Sequence, residues 1–79
     1  MGARPYRRFG IRLQQVREEA LYTQEELAGA LGVSPRTLRR WEAGEIIPDG
    51  RGLVLLCQVL SWDAVRYLAE VVRNPLFNM

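Results

Sequence analysis

Between Thr23 and Gly44 the chain carries signals for two helices set almost end to end, and no other feature restricts its fold as strongly. Thr23 and Glu26 form a capping box, in which the hydroxyl accepts from the Glu26 N–H and the carboxylate returns a bond to the Thr23 N–H. Leu27, Ala28 and Leu31 then line one face. Gly32 stops the helix, because it adopts the positive φ that other residues avoid. A new start follows at once. Ser34 is a good N-cap, and Pro35 falls at the first helical position, where its missing N–H costs nothing. Leu38 and Trp41 point inward, and Gly44 supplies the next stop. With only about two residues between them, the helices cross steeply rather than run antiparallel.

The demands at this crossing are steric. Leu27, Leu31, Val33, Leu38 and Trp41 make the inner seam, and Ala28 is small where the helices approach. A bulkier residue there would push them apart, and a Cβ at Gly32 would strain the turn. Once Leu38 and Trp41 face in, Arg36, Arg39, Arg40 and Ala43 fall on the outer side at three- and four-residue spacing. Arginine matches the O6 and N7 acceptors of guanine, which makes this face a candidate for reading DNA. A solvated basic face on an ordinary helix is the plainer alternative.

The remaining segments complete an all-α fold, a compact bundle of five helices. Phe9, Leu13, Val16 and Ala20 recur at helical spacing and predict a first helix from about Phe9 to Ala20. Pro48-Asp49-Gly50 reads as a turn, followed by a fourth helix from about Arg51 to Leu60. Ser61 is placed to cap a fifth, from Trp62 to about Arg73, ending before Pro75. No stretch alternates with period two for long enough to suggest a sheet. Seventy-nine residues make one domain. An apolar fraction of 48% implies a well-filled core or apolar surface kept for a partner chain.

Charge is distributed in blocks. Residues 1–17 hold five Arg and no acid, 18–33 hold four Glu and no base, and 34–40 hold three Arg and no acid. Two separated basic segments of this kind are the footprint expected of a surface for a polyanion. All eleven positive residues are Arg, which fits a GC-rich coding bias and also suits bidentate contact with phosphate and guanine.

Catalysis finds little support. The chain has no His, and Cys57, its one cysteine, lies in the apolar run from Leu53 to Leu60 and reads as a buried structural thiol. No nucleophile–base, metal-ligand or phosphate-loop arrangement is visible, so no enzyme activity, cofactor or metal is expected. The run is too short to span a bilayer, and no signal-peptide pattern opens the chain. The expectation is a cytoplasmic protein, nucleoid-associated when bound to DNA, with no membrane contact.

Thr23-Gln24-Glu25-Glu26-Leu27-Ala28, Leu31-Gly32-Val33-Ser34, Thr37-Leu38, Trp41-Glu42-Ala43-Gly44 and Pro48, continued through Leu53, Leu56 and Leu60, resemble the lambda-repressor-like (Xre-type) helix-turn-helix family. The resemblance covers roughly residues 11–62 and implies a third helix lying in the major groove of double-stranded DNA. The chain is expected to divide into a basic arm at 1–8, a helix-turn-helix domain at 9–73 with the motif at about 23–43, and a tail at 74–79. By position, Ser34, Pro35, Arg36 and Arg40 resemble the base-reading set. Gln24, Thr37, Arg39 and Arg51 resemble phosphate contacts, helped by helix N-termini that attract anions. Arg17 and Glu42 match a pair that family members join as a partly buried salt bridge. One departure stands out: the loop after the third helix, often basic in relatives, reads Glu45-Ile46-Ile47. That removes an expected phosphate contact and leaves either a small apolar patch near the DNA or an Ile47 tucked into the core.

Arg4, Arg7 and Arg8 lie in the arm around Pro5 and Tyr6. A flexible basic arm follows phosphates or enters a narrow A·T-rich minor groove, whereas a merely solubilising tail has the same composition. On the fifth helix, Trp62, Val65, Leu68 and Val72 are expected to cover the core. Ala64, Tyr67 and Val71 then form a second stripe, with Leu76 and Phe77 beyond it, and suggest a homodimer interface. The function expected from this reading is a transcriptional regulator, a repressor binding an inverted-repeat operator as a dimer. The alternative is an antitoxin of the HigA type, which binds a toxin protein and represses its own operon through the same fold.

Overall fold

The computed structural model describes residues 4–73. Among these the chain forms five helices and no strand: α1 (Arg7–Glu19), α2 (Gln24–Leu31), α3 (Pro35–Glu42), α4 (Gly50–Leu60) and α5 (Ala64–Arg73). The domain is all-α. Each helix of the central pair begins and ends through local chemistry. The Thr23 hydroxyl accepts from the Glu26 N–H at 3.0 Å, and the Glu26 carboxylate accepts from the Thr23 N–H at 2.9 Å. Gly32 takes φ of 71° and closes α2. The Ser34 hydroxyl accepts from the Thr37 N–H at 3.1 Å, with Pro35 in the first turn of α3. Asp49 does the same for α4 through the Gly52 N–H, at 2.8 Å.

Two helix ends differ from the sequence expectation. α1 begins at Arg7 rather than Phe9, so Arg7 and Arg8 are helical residues and not parts of an extended arm. No side chain caps this start. Instead the Tyr6 N–H donates to the Gly44 carbonyl at 3.0 Å, so α1 is started from the far end of α3. Ser61, expected to cap α5, sits in the left-handed region at φ of 49° and closes α4, while the Asp63 carboxylate accepts from the Arg66 N–H at 3.1 Å.

The core gathers Phe9, Leu13 and Val16 of α1, Leu27, Ala28 and Leu31 of α2, and Leu38 and Trp41 of α3. Leu56 and Leu60 of α4 and Ala64, Leu68 and Val71 of α5 complete it. Phe9 stacks on Trp62 with ring centroids 5.6 Å apart, joining α1 to the segment between α4 and α5. Ile46 and Ile47 pack against this core, and Cys57 is half-buried beside it.

The rotation of α5 corrects the expected dimer stripe. Ala64 and Val71 are buried in the chain's own core, and Tyr67 is half-buried with its ring 5.9 Å from that of Trp62. Ala64 and Val71 are thus consumed within one chain and are not available to a second. The large exposed apolar residues of α5 are Val65 and Val72, which were expected inside. The helix is apolar through a wide arc, so periodicity alone does not choose which part of the arc faces the core. Leu76 and Phe77, also expected at that interface, lie outside the described residues. No helix among the described residues is long and apolar enough to cross a membrane.

Candidate nucleic-acid interface

α3 is short, and its orientation rests on how tightly its neighbours hold it. Leu38 is fully buried and Trp41 nearly so, which fixes the helix's rotation. At about 100° per residue, Arg36 and Arg40 then lie close together on the opposite side, with Arg39 just beside them. All three are exposed. α1 sets the tilt from behind: a Cβ on Gly10 would run into the Glu42 carbonyl oxygen and lie 2.7 Å from that of Trp41. Only glycine permits so close an approach of one helix backbone to the end of another.

A buried polar network ties the same three helices. The Glu42 carboxylate accepts from Arg17 Nε at 2.6 Å, from Arg17 Nη2 at 3.3 Å and from Gln24 Nε2 at 2.9 Å. Arg17 Nη1 donates to the Tyr22 carbonyl at 2.9 Å. Arg17 and Glu42, expected as a bridge, therefore form one, with side chains only 10% and 4% exposed. The Glu42 hydrogen bond holds the Arg17 guanidinium above its ordinary pKa, outweighing the opposite push of burial. Among the described residues no buried side-chain polar atom lacks a partner. The bond to Gln24 was not foreseen, and it holds that half-buried amide at the start of α2.

Arg4, Arg7, Gln24, Arg39, Thr37 and Arg51 gather in two open clefts beside the arginine face. One, of about 410 Å³, is lined by Arg4, Arg7, Gln14, Gln24 and Arg39 together with Ile11, Glu42 and Ala43. The other, of about 400 Å³, is lined by Thr37 and Arg51 together with Leu31, Gly32, Val33, Trp41, Asp49, Gly52 and Leu55. The two clefts open on either side of the Arg36–Arg40 ridge, because Thr37 and Arg39 lie at opposite edges of that face. Arg8, grouped with the arm by sequence, is an exposed residue of the first turn of α1 and does not line either cleft. Ser34 is exposed and Pro35 half-buried at the start of α3, and the Ser34 and Thr37 hydroxyls lie 3.0 Å apart. Ser34's oxygen is thus engaged by its cap and by Thr37.

Sequence reasoning missed one member of this surface. Arg40 Nε donates to the Glu45 carboxylate at 3.2 Å, in an exposed pair with side chains 47% and 39% accessible. Glu45 was read only as a lost phosphate contact. The signal was Gly44, whose left-handed turn brings the following residue back over the last turn of the helix.

A helix pair presenting arginines, with a cationic cleft on one side and a cleft holding Arg51 beside Asp49 on the other, has the form of a DNA-reading module. The helix-turn-helix family model matches residues 13–61, and the chain belongs to that family of DNA-binding transcriptional regulators, in its lambda-repressor-like (Xre-type) branch. Among individual proteins, it is 37% identical over 67 residues to a provisionally named HTH-type transcriptional regulatory protein of Pyrococcus horikoshii, covering 85% of this chain and 18% of that protein. It is 34% identical over 68 residues to multiprotein-bridging factor 1 of Candida albicans, covering 86% of this chain and 43% of that one. The chain thus spans less than half the length of either relative. No solved structure matches it significantly.

Proposed function

We propose that the protein is a sequence-specific repressor that binds an inverted-repeat operator as a homodimer, with α3 in the major groove. One observation carries the reading: the exposed Arg36 and Arg40 of α3 stand between two clefts that hold six of the other candidate DNA contacts, Arg4, Arg7, Gln24, Arg39, Thr37 and Arg51. Arg36 and Arg40 read base edges, where a bidentate arginine–guanine pair discriminates best. Arg39, Gln24, Arg4 and Arg7 grip phosphates on one flank, and Thr37 and Arg51 grip them on the other. Pro35 packs at the groove-facing end of α3, and Ser34 sets that end by capping. Arg7, fixed in α1, acts as a rigid phosphate contact rather than a swinging arm.

The homodimer in this reading meets through the exposed face of α5 around Val65 and Val72, in place of the buried Ala64 and Val71. It places two recognition helices about 34 Å apart, one turn of DNA. Selection of bound sequences from random duplexes at stated salt tests the whole reading. The expected product is an inverted repeat with half-sites one turn apart. Arg36→Ala is expected to cost about 1–3 kcal/mol and relax one base position, whereas Arg39→Ala weakens all sequences alike and lowers the salt slope by about one. Selection that returns no enriched sequence would refute the base-reading role, and a single half-site bound by a monomer would refute the dimer.

A further inference from the structure

The pair formed by Arg40 and Glu45 is built by the backbone as well as by the side chains. α3 is followed by a turn at Gly44, with φ of 77° and its N–H donating to the Trp41 carbonyl at 3.1 Å. The next N–H, that of Glu45, donates to the Arg40 carbonyl, also at 3.1 Å. This turn returns Glu45 to the level of Arg40, where its carboxylate takes the Nε bond. The turn itself is held in place. A Cβ on Gly44 would lie 2.6 Å from the Arg7 backbone nitrogen, and the Gly44 carbonyl accepts the Tyr6 N–H. Glu45 is therefore presented to Arg40 by a packed element rather than by a loose loop.

As a contribution to stability, an ion pair this exposed is worth little. Its position is what calls for a physical account. Glu45 puts a negative charge beside the face that meets a polyanion, which lowers affinity for every DNA sequence. What the carboxylate gains is geometry. It engages the Nε edge of the guanidinium, and the opposite end, Nη1 with Nη2, is the fork that matches guanine O6 and N7. An arginine held by Nε is less able to swing aside onto a phosphate.

Building on the DNA-binding reading above, we propose that Glu45 is a specificity-determining positioning residue: it holds Arg40 by Nε, aims its Nη1/Nη2 fork at a guanine, and disfavours capture by phosphate. Glu45 thus trades affinity for all DNA against discrimination at one base pair.

The test compares wild type, Glu45→Ala, Glu45→Gln, Arg40→Ala and the Arg40→Ala/Glu45→Ala double variant. Each is titrated against the site returned by selection, that site with the guanine under Arg40 replaced, and a random duplex, over a series of salt concentrations. Glu45→Ala is expected to bind the random duplex severalfold more tightly, with a salt slope steeper by about 0.9 as the released Arg40 takes a phosphate. Its discrimination against the replaced guanine is expected to fall about tenfold, within the range of one bidentate contact. Glu45→Gln, which loses the charge but keeps an acceptor, gains general affinity while retaining more of the discrimination. In the Arg40→Ala background, removing Glu45 leaves discrimination unchanged. If Glu45→Ala tightens all duplexes equally and keeps full discrimination, Glu45 is a repelling charge and the proposal is overturned. The same holds if Glu45→Ala changes discrimination equally with and without Arg40. A wild type that binds no duplex in a salt-dependent way overturns the DNA-binding reading itself, a result distinct from a discriminating wild type that is indifferent to Glu45.

Discussion

The α1–α2–α3 end of the molecule and the α4–α5 end are joined by different kinds of contact. At the first end, backbones touch at Gly10 and Gly44, and a carboxylate on α3 gathers donors from Arg17 and Gln24. At the second, the junction is almost wholly apolar, with Leu56, Leu60, Ala64, Leu68 and Val71 packed toward Phe9 and Trp62. Directional contacts fix an angle, and apolar contacts fix burial while leaving the angle freer. The end held by directional contacts is the one that carries α3 and its arginine face.

Breaking the polar junction is expected to produce the largest loss. Glu42→Ala leaves the Arg17 charge and the Gln24 amide without their partner, and a loss of about 3–5 kcal/mol is expected in urea unfolding. An Arg17→Met/Glu42→Leu double variant should lose less than Glu42→Ala alone, because no unpaired charge stays buried. A double variant as unstable as the single one would show that packing, not charge compensation, governs this junction.

The apolar junction is probed by two neighbouring residues. Val71→Ala should cost about 2 kcal/mol, from lost transfer energy and the cavity left behind, whereas Val72→Ala stays within about 0.5 kcal/mol. The reverse order would restore the rotation of α5 expected from sequence and contradict the structure.

A smaller effect contrasts two helix ends. α1 closes with Leu21 at φ of 65° and 89% exposed, the Tyr22 N–H donating to the Arg17 carbonyl at 3.1 Å. α2 closes with Gly32 in the same region. Leucine is strained there, so Leu21→Gly is expected to stabilise by about 0.5 kcal/mol, the relief being partly offset by the entropy of an added glycine. A lower melting temperature for Leu21→Gly would mean that the strain is already absorbed.

The helix-turn-helix pair was legible because its signals act over a few residues. The Thr23–Glu26 box, Gly32, Ser34 and Pro35 each answer a local need for a hydrogen bond or a backbone angle. Once Leu38 and Trp41 face inward, the outward direction of Arg36, Arg39 and Arg40 follows from helix geometry. The start of α1 was not legible, because its support is the Gly44 carbonyl, far along the chain. The bond from Gln24 to Glu42 was hidden for the same reason, and Glu45 was hidden because a turn, not a helical period, returns it to Arg40.

Sequence alone therefore determined that this protein is a helical domain with a steeply crossed pair and an arginine-bearing outer face. Those features rest on capping, glycine conformation and period, all short-range. The tertiary structure decided which arc of α5 is buried, how Arg7 joins α1, which clefts collect the phosphate candidates, and that Arg40 is held by Glu45. Each depends on contacts between segments distant in sequence, whose competition for one small core no local signal records.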